Sequence, residues 1–183
     1  MYNCHGHFED CAIWYLTYLI LSLGCYISSV KQEYISYWQN TLQHSQKLEF
    51  YRSFKTDHTS SSYLDLERGT AGRRALVKLR ISNHKLMIEI GRYNQTTKDN
   101  RHCPFCGCNA IEDEVHFLFQ CPTYSMIRNK FYYKVKTLIS NITQLPINGL
   151  INELVNSSKY FINIQFTKSI SACFVVRDKL LSK

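Results

Sequence analysis

Acidic residues are scarce in this chain, with 14 Asp and Glu against 22 Lys and Arg, a formal charge of +8 and a pI near 9.1. There is no Asp-Asp pair, and Asp57, Asp65, Glu67, Glu89 and Asp99 are too dispersed to suggest a two-metal catalytic centre. A Walker loop, a Gly-x-Ser-x-Gly elbow and a His-Glu-x-x-His motif are also absent. The corresponding chemistries are excluded, and the sequence predicts neither an enzyme nor a small-molecule substrate. The surplus of positive charge suits an anionic partner, with RNA or DNA first and an anionic membrane surface second.

No internal repeat and no low-complexity tract occurs, and an apolar fraction of 45% over 183 residues is enough for a packed core. Charge is missing altogether from Cys11 to Val30. Twenty helical residues at ~1.5 Å each match a hydrocarbon core of ~30 Å. Trp14, Tyr15, Tyr18 and Tyr26 fit interfacial anchoring, while Thr17, Ser22, Gly24, Ser28 and Ser29 dilute the hydrophobicity. A cleavable signal peptide fits worse, because the first ten residues carry Glu9 and Asp10 and no Lys or Arg. Residues 11–30 thus read either as a transmembrane helix or as a core helix.

Spacings of three and four along Tyr34, Trp38 and Leu42, then Leu48, Tyr51 and Phe54, predict a helix over 31–54 with its aromatics in the core. Thr56 to Ser62 has the composition of a loop and is the expected linker. From Arg68 to Arg92, seven cations (Arg68, Arg73, Arg74, Lys78, Arg80, Lys85, Arg92) are opposed by Glu89 alone. Leu76, Leu79, Leu86 and Ile90 fall on one helical face and Arg74, Lys78, Lys85, Glu89 and Arg92 on another, with Asn83 as a break. This basic face is the candidate phosphate-binding surface, through Arg73, Arg74, Lys78, Arg80, Lys85 and Arg92. A solvated face that only keeps the chain soluble reads the same way.

Tyr93 to His102 is a polar connector. Pro122 to Ser140 predicts a helix with Tyr124, Ile127, Phe131, Val135 and Leu138 on its apolar face. Pro146 and Gly149 mark a turn, and Ile170, Phe174, Arg177 and Leu181 predict a closing helix over 167–183. Asn94, Asn141 and Asn156 head glycosylation acceptor triplets, usable only in a lumenal protein.

Of eight cysteines, four crowd into Cys103 to Cys121, which favours a metal over a disulfide framework. Cys103 and Cys106 have the two-residue spacing of a zinc knuckle, Pro104 stiffens it, and Gly107 can take the positive φ needed after the second ligand. His116 and Cys121 supply the second pair. Residues five apart on one α-helix are rotated by ~140° and cannot converge, so the helix carrying His116 should end near Gln120, where Pro122 disfavours helical geometry at Cys121. Glu112, Asp113 and Glu114 then occupy that helix's first turn, and Phe117, Leu118 and Phe119 pack behind the ion. The pattern C-x2-C-x9-H-x4-C predicts Zn2+ on Cys103, Cys106, His116 and Cys121. Cys108 and His102 are spare ligands, and a redox C-x2-C would want a βαβ context that the sequence lacks. Four protein ligands make the site structural.

The run Ala75 to Tyr93, followed by Cys103-Pro-Phe-Cys106 and Glu112 to Tyr124, resembles the C-terminal tail of non-LTR (LINE-type) retrotransposon reverse transcriptases, over about 32–183. The resemblance implies a helical, nucleic-acid-binding extension with Cys103, Cys106, His116 and Cys121 as its metal ligands. That family's polymerase and endonuclease residues lie upstream of the tail, so it also implies a truncated remnant. The expected fold is mostly α, a small helical domain built around a CCHC zinc knuckle with an N-terminal hydrophobic helix. Its expected divisions are a hydrophobic segment (1–30), a helix and linker (31–62), a basic helical region (63–140) holding the knuckle (103–121), and a C-terminal helical region (141–183). The expected function is a nuclear or cytoplasmic zinc module binding nucleic acid. The alternatives are a single-pass membrane protein with a cytoplasmic zinc-stabilised interaction module, or a non-functional open reading frame.

Overall fold

All three prolines lie beyond residue 100, so nothing interrupts the first helix, α1 (Phe8–His44). The computed structural model describes residues 8–65 and 70–182; Arg68 and Glu67 lie outside the described residues. The chain divides into two units, one ending at His44 and one spanning Ser45–Lys183. The expected division at residue 30 falls inside α1.

Among the described residues no helix is long and apolar enough to cross a membrane. This corrects the transmembrane reading of 11–30. α1 has the length at 37 residues, but the hydroxyl and glycine positions from Thr17 to Ser29 lower its mean hydropathy too far. The core reading of Tyr34 also fails, because its side chain is exposed; Trp38 is half-buried and Leu42 buried.

The second unit contains α2 (Glu49–Phe54), α3 (Ala71–Arg80), α4 (Met87–Tyr93), α5 (Ser125–Val135), α6 (Ile147–Val155) and α7 (Tyr160–Leu181), with the cysteine segment in the long connection between α4 and α5. No strand occurs among the described residues. The long α7 packs against α3 and α5 and touches α6. Its inward face (Ile162, Phe166, Ile170, Cys173) meets Leu76, Leu79, Phe117 and Phe131 in one buried cluster. Each such side chain contributes roughly 1.5–3 kcal/mol when withdrawn from water.

α3 starts where the Thr70 hydroxyl accepts from the Arg73 N–H at 3.2 Å. It ends at Ile81, after which Ser82 takes a left-handed φ of 50°. The Arg68–Arg92 run therefore breaks into α3 and α4 around Asn83, as the spacing predicts. Close approach of α3 to α7 depends on Gly72, where an added Cβ would lie 3.0 Å from the Thr167 backbone. Gly72→Ala should cost about 1–3 kcal/mol by overpacking, read as a urea midpoint shift. Gly149→Ala, whose Cβ would meet only ordinary contacts at 3.5 Å, should stabilise by about 0.5–1 kcal/mol. Equal effects at the two sites would refute the packing argument.

Several expectations are corrected. The helix over 31–54 is broken at Ser45–Leu48 between α1 and α2. Thr56 to Ser62 is irregular but sits within the second unit, pinned by Lys55 Nζ on Asp57 (2.9 Å) and the Thr59 carbonyl (2.6 Å), and by Ser62 on the Ser157 carbonyl. The Thr59 hydroxyl and Lys55 hold the Asp57 carboxyl well below the usual carboxylate range. α5 stops at Val135, so Leu138 is exposed and Ile139 buried in its place. Pro146 opens α6 instead of marking a turn, and α7 begins at Tyr160 instead of Thr167.

Candidate metal centre

The residues before the first cysteine are held by hydrogen bonds to their own backbone and to α4. Arg101 donates from Nη1 to the Ile88 carbonyl (2.8 Å) and from Nε and Nη2 to the Thr96 carbonyl (3.0 and 2.8 Å), which fixes the connector after α4. His102 and Ile111 then pair as an isolated antiparallel bridge, flanked by Cys103 N–H on Ala110 O (2.8 Å) and Glu112 N–H on Arg101 O (2.9 Å). The ends of the 103–110 loop are thereby clamped side by side. Within it Gly107 has a φ of 63°, the left-handed conformation expected after the second cysteine.

The second ligand pair is set by a π turn, His116–Gln120. Its characteristic bond runs from Cys121 N–H to His116 O at 2.7 Å, closing five residues where an α-turn closes four. Residues five apart are thus stacked one turn above each other, and the ~140° rotation of an α-helix does not arise. The helix does end at Gln120, and Cys121 is extended (φ −59°, ψ 123°) with Pro122 opening the next turn. Pro122 therefore explains the stop, while the wide turn brings the ligands to one side.

Cys103, Cys106, His116 and Cys121 lie with their ligand atoms all within 4.8 Å of one another and could hold a metal ion. Cys103 Sγ is 3.9 Å from Cys121 Sγ, and Cys106 Sγ is 3.5 Å from His116 Nε2. A zinc tetrahedron with Zn–S of ~2.3 Å and Zn–N of ~2.0–2.1 Å has edges of roughly 3.8 Å (S···S) and 3.6 Å (S···N). Two of the six edges thus agree to about 0.1 Å, and all six lie within 4.8 Å. Cys108 is outside the group, exposed, with its Sγ 3.5 Å from the Cys106 carbonyl, and His102 is also outside it.

Burial raises the Cys103 thiol to about 12. Burial opposes ionisation at Cys106 too, yet hydrogen bonding from Cys108 brings its thiol down overall. Burial lowers the His116 pKa and keeps the imidazole neutral, the form a ligand must have. Phe117, Leu118 and Phe119 are buried behind the four, with Phe117 edge-on to Tyr124 (4.9 Å) and tilted against Phe174 (4.7 Å).

No family profile, curated protein or solved structure matches the chain.

The acids around the ligands divide their roles. Asp113 caps the His116 turn, accepting from the His116 N–H at 2.7 Å. Glu112 and Glu114 do not serve that helix end. Glu114 is buried against Ser82 Oγ and His84 Nε2, both at 2.9 Å. Glu112 is fully buried and bidentate with Arg177 of α7 at 2.9 and 2.8 Å, while it also accepts the Met87 N–H at the start of α4 (2.8 Å). Arg177 lies 5.5 Å from the ring centre of Phe105, in the loop between Cys103 and Cys106. Arg128 donates to the carbonyls of Leu118 (3.3 Å) and Cys121 (3.0 Å), two acceptors released by the end of the π turn. The roles of Glu112, Arg128 and Arg177 were not expected from the sequence. Only Arg177 carried a signal, a cation on the apolar stripe of Ile170 and Phe174.

The six expected phosphate contacts separate into three classes. Arg80 is buried at 1% exposure, with its guanidinium carbon 4.5 Å over Tyr63, 4.6 Å over Phe54 and 5.6 Å over Tyr51, and donates to Val155 O and Ser61 Oγ. This removes Arg80 from the surface set, since it fills a core position as an aromatic-stacked cation. Arg73 and Arg92 are half-buried, Arg92 on Glu89 and Tyr93. Arg74, Lys78 and Lys85 are exposed and share one cleft of about 500 Å³ with His84 and Arg177, where Asp178 is the one acid among the lining residues. Among the described residues no carboxylate pairs with Lys78 or Lys85.

Proposed function

We propose that this chain is a non-catalytic zinc-binding module that contacts RNA or DNA through backbone phosphates. The observation that carries the metal half is the pair of tetrahedral edges at 3.9 and 3.5 Å among three thiols and an imidazole. Four protein ligands leave no position for water or substrate, so the ion's work is to hold the knuckle closed. The nucleic-acid half is supported by the convergence of Arg74, Lys78 and Lys85 on one cleft, cations that phosphates would neutralise with release of counterions. The residues Ala75 to Tyr93 and Cys103 to Tyr124 support a remnant of a LINE-type tail as the origin of such a module.

The test is the salt dependence of binding to a labelled oligonucleotide by fluorescence anisotropy. Affinity should fall linearly in log–log form, each phosphate contact contributing a slope of about −0.9 on duplex DNA or −0.7 on a single strand. Arg74→Glu with Lys78→Glu should weaken binding to all sequences alike and flatten the slope by about two contacts. Salt-independent binding, or binding untouched by the charge reversal, would remove the nucleic-acid half and leave the metal half standing.

A further inference from the structure

α1 exposes large apolar side chains in a regular order. Ile20, Ile27 and Tyr34 recur every seven residues, and Leu23, Val30 and Tyr37 follow each of them by three. These six are between 47 and 68% exposed. The c positions of the same heptads are Ser22, Ser29 and Ser36, and the f positions Cys25, Gln32 and Gln39, while Tyr18, Leu21 and Tyr26 are large apolar side chains exposed off the seam. A 3,4 alternation of apolar residues on a 37-residue helix is the pattern of a coiled-coil seam.

We propose that α1 pairs in parallel with α1 of a second copy of this chain. The heptad of Ile20 and Leu23, a β-branched residue at the first seam position and leucine at the second, has the composition that favours a two-stranded parallel arrangement. The flanks permit it: between residues 16 and 43 the only charges are Lys31 and Glu33, and in a parallel pair Lys31 lies across from Tyr26 of the other copy, with no like charge opposite. The area is of the required order as well. Six seam side chains from each copy, at roughly 60–120 Å² apiece, withdraw ~700–1,400 Å² in total. A specific pair needs about 1,000 Å². Hydroxyl and glycine positions that make the helix too polar for a bilayer lie mostly off the seam.

Sedimentation equilibrium of the zinc-loaded full chain at micromolar concentration tests this. The expected mass is twice 21.5 kDa. Ile27→Lys, which sets like charges against each other in the seam, should give a monomer that retains its zinc. Ser29→Lys, on the back of the helix, should remain a dimer. A monomeric wild type, a dimer that survives Ile27→Lys, or equal loss in both variants would overturn the proposal. A monomer that floats with phosphatidylcholine vesicles would overturn it in favour of a lipid surface.

Discussion

Native mass spectrometry should find one zinc ion per chain; Cys106→Ser should lose it, and Cys108→Ser should keep it. Cys106 lies at 3.5 Å from His116 Nε2 on an edge of the tetrahedron, whereas the Cys108 sulfur faces the Cys106 carbonyl from outside. Loss of zinc in Cys108→Ser alone would refute the ligand set. Structural zinc in small sites binds with an apparent ~10–16 kcal/mol near neutral pH, and that energy is available to folding. A chelator should therefore lower the melting temperature of wild type and Cys108→Ser but leave Cys106→Ser unchanged. Affinity should rise with pH, because a thiol that burial holds at about 12 must give up its proton to ligate. Each proton displaced steepens the dependence by about one decade per pH unit, measurable by competition with a chromophoric chelator. A flat profile would mean that the thiols do not ligate.

Glu112→Ala should be the most destabilising single substitution away from the ligands, at about 3–5 kcal/mol. It leaves the Arg177 guanidinium at 1% exposure with no counter-ion, and strips the Met87 N–H of its acceptor. The magnitude comes from the stranded charge and not from the pair's own strength, since desolvation offsets most of a buried pair's attraction. Glu112→Leu combined with Arg177→Met should accordingly recover much of the loss. Urea midpoints of the wild type and these two variants decide the matter. A Glu112→Ala shift below about 1 kcal/mol, or a double variant worse than the single, would contradict the account.

The ligand spacing could be read from the chain because it is local. Three cysteines and a histidine within nineteen positions, a glycine at φ 63° and a proline stop each have a short-range physical cause. The helix break near Asn83 was legible for the same reason. Partners drawn from far along the chain were not. Glu112 reads as a helix-start acid until a helix 65 residues later supplies Arg177, and Arg80 reads as a surface cation until Tyr51, Phe54 and Tyr63 close around it. Periodicity places a residue on a face without saying what that face meets. It also overran helix ends, as at Val135, where the chain turns and Ile139 takes the buried place expected for Leu138.

The wide turn at His116–Gln120 has a consequence for insertions and deletions. Deleting one residue from Phe117–Phe119 would shorten the H-x4-C spacing to the H-x3-C common in zinc fingers, which an ordinary helical turn can serve. The ligands could still converge, but with His116 held the residues after the deletion would be rotated by about 100°, so losing Phe117 or Leu118 would turn Phe119 away from Phe166, and losing Phe119 would remove that ring contact outright. A deletion that an ion tolerates would thus be rejected by the aromatic layer behind it. The fourth residue between histidine and cysteine belongs to the core as much as to the metal.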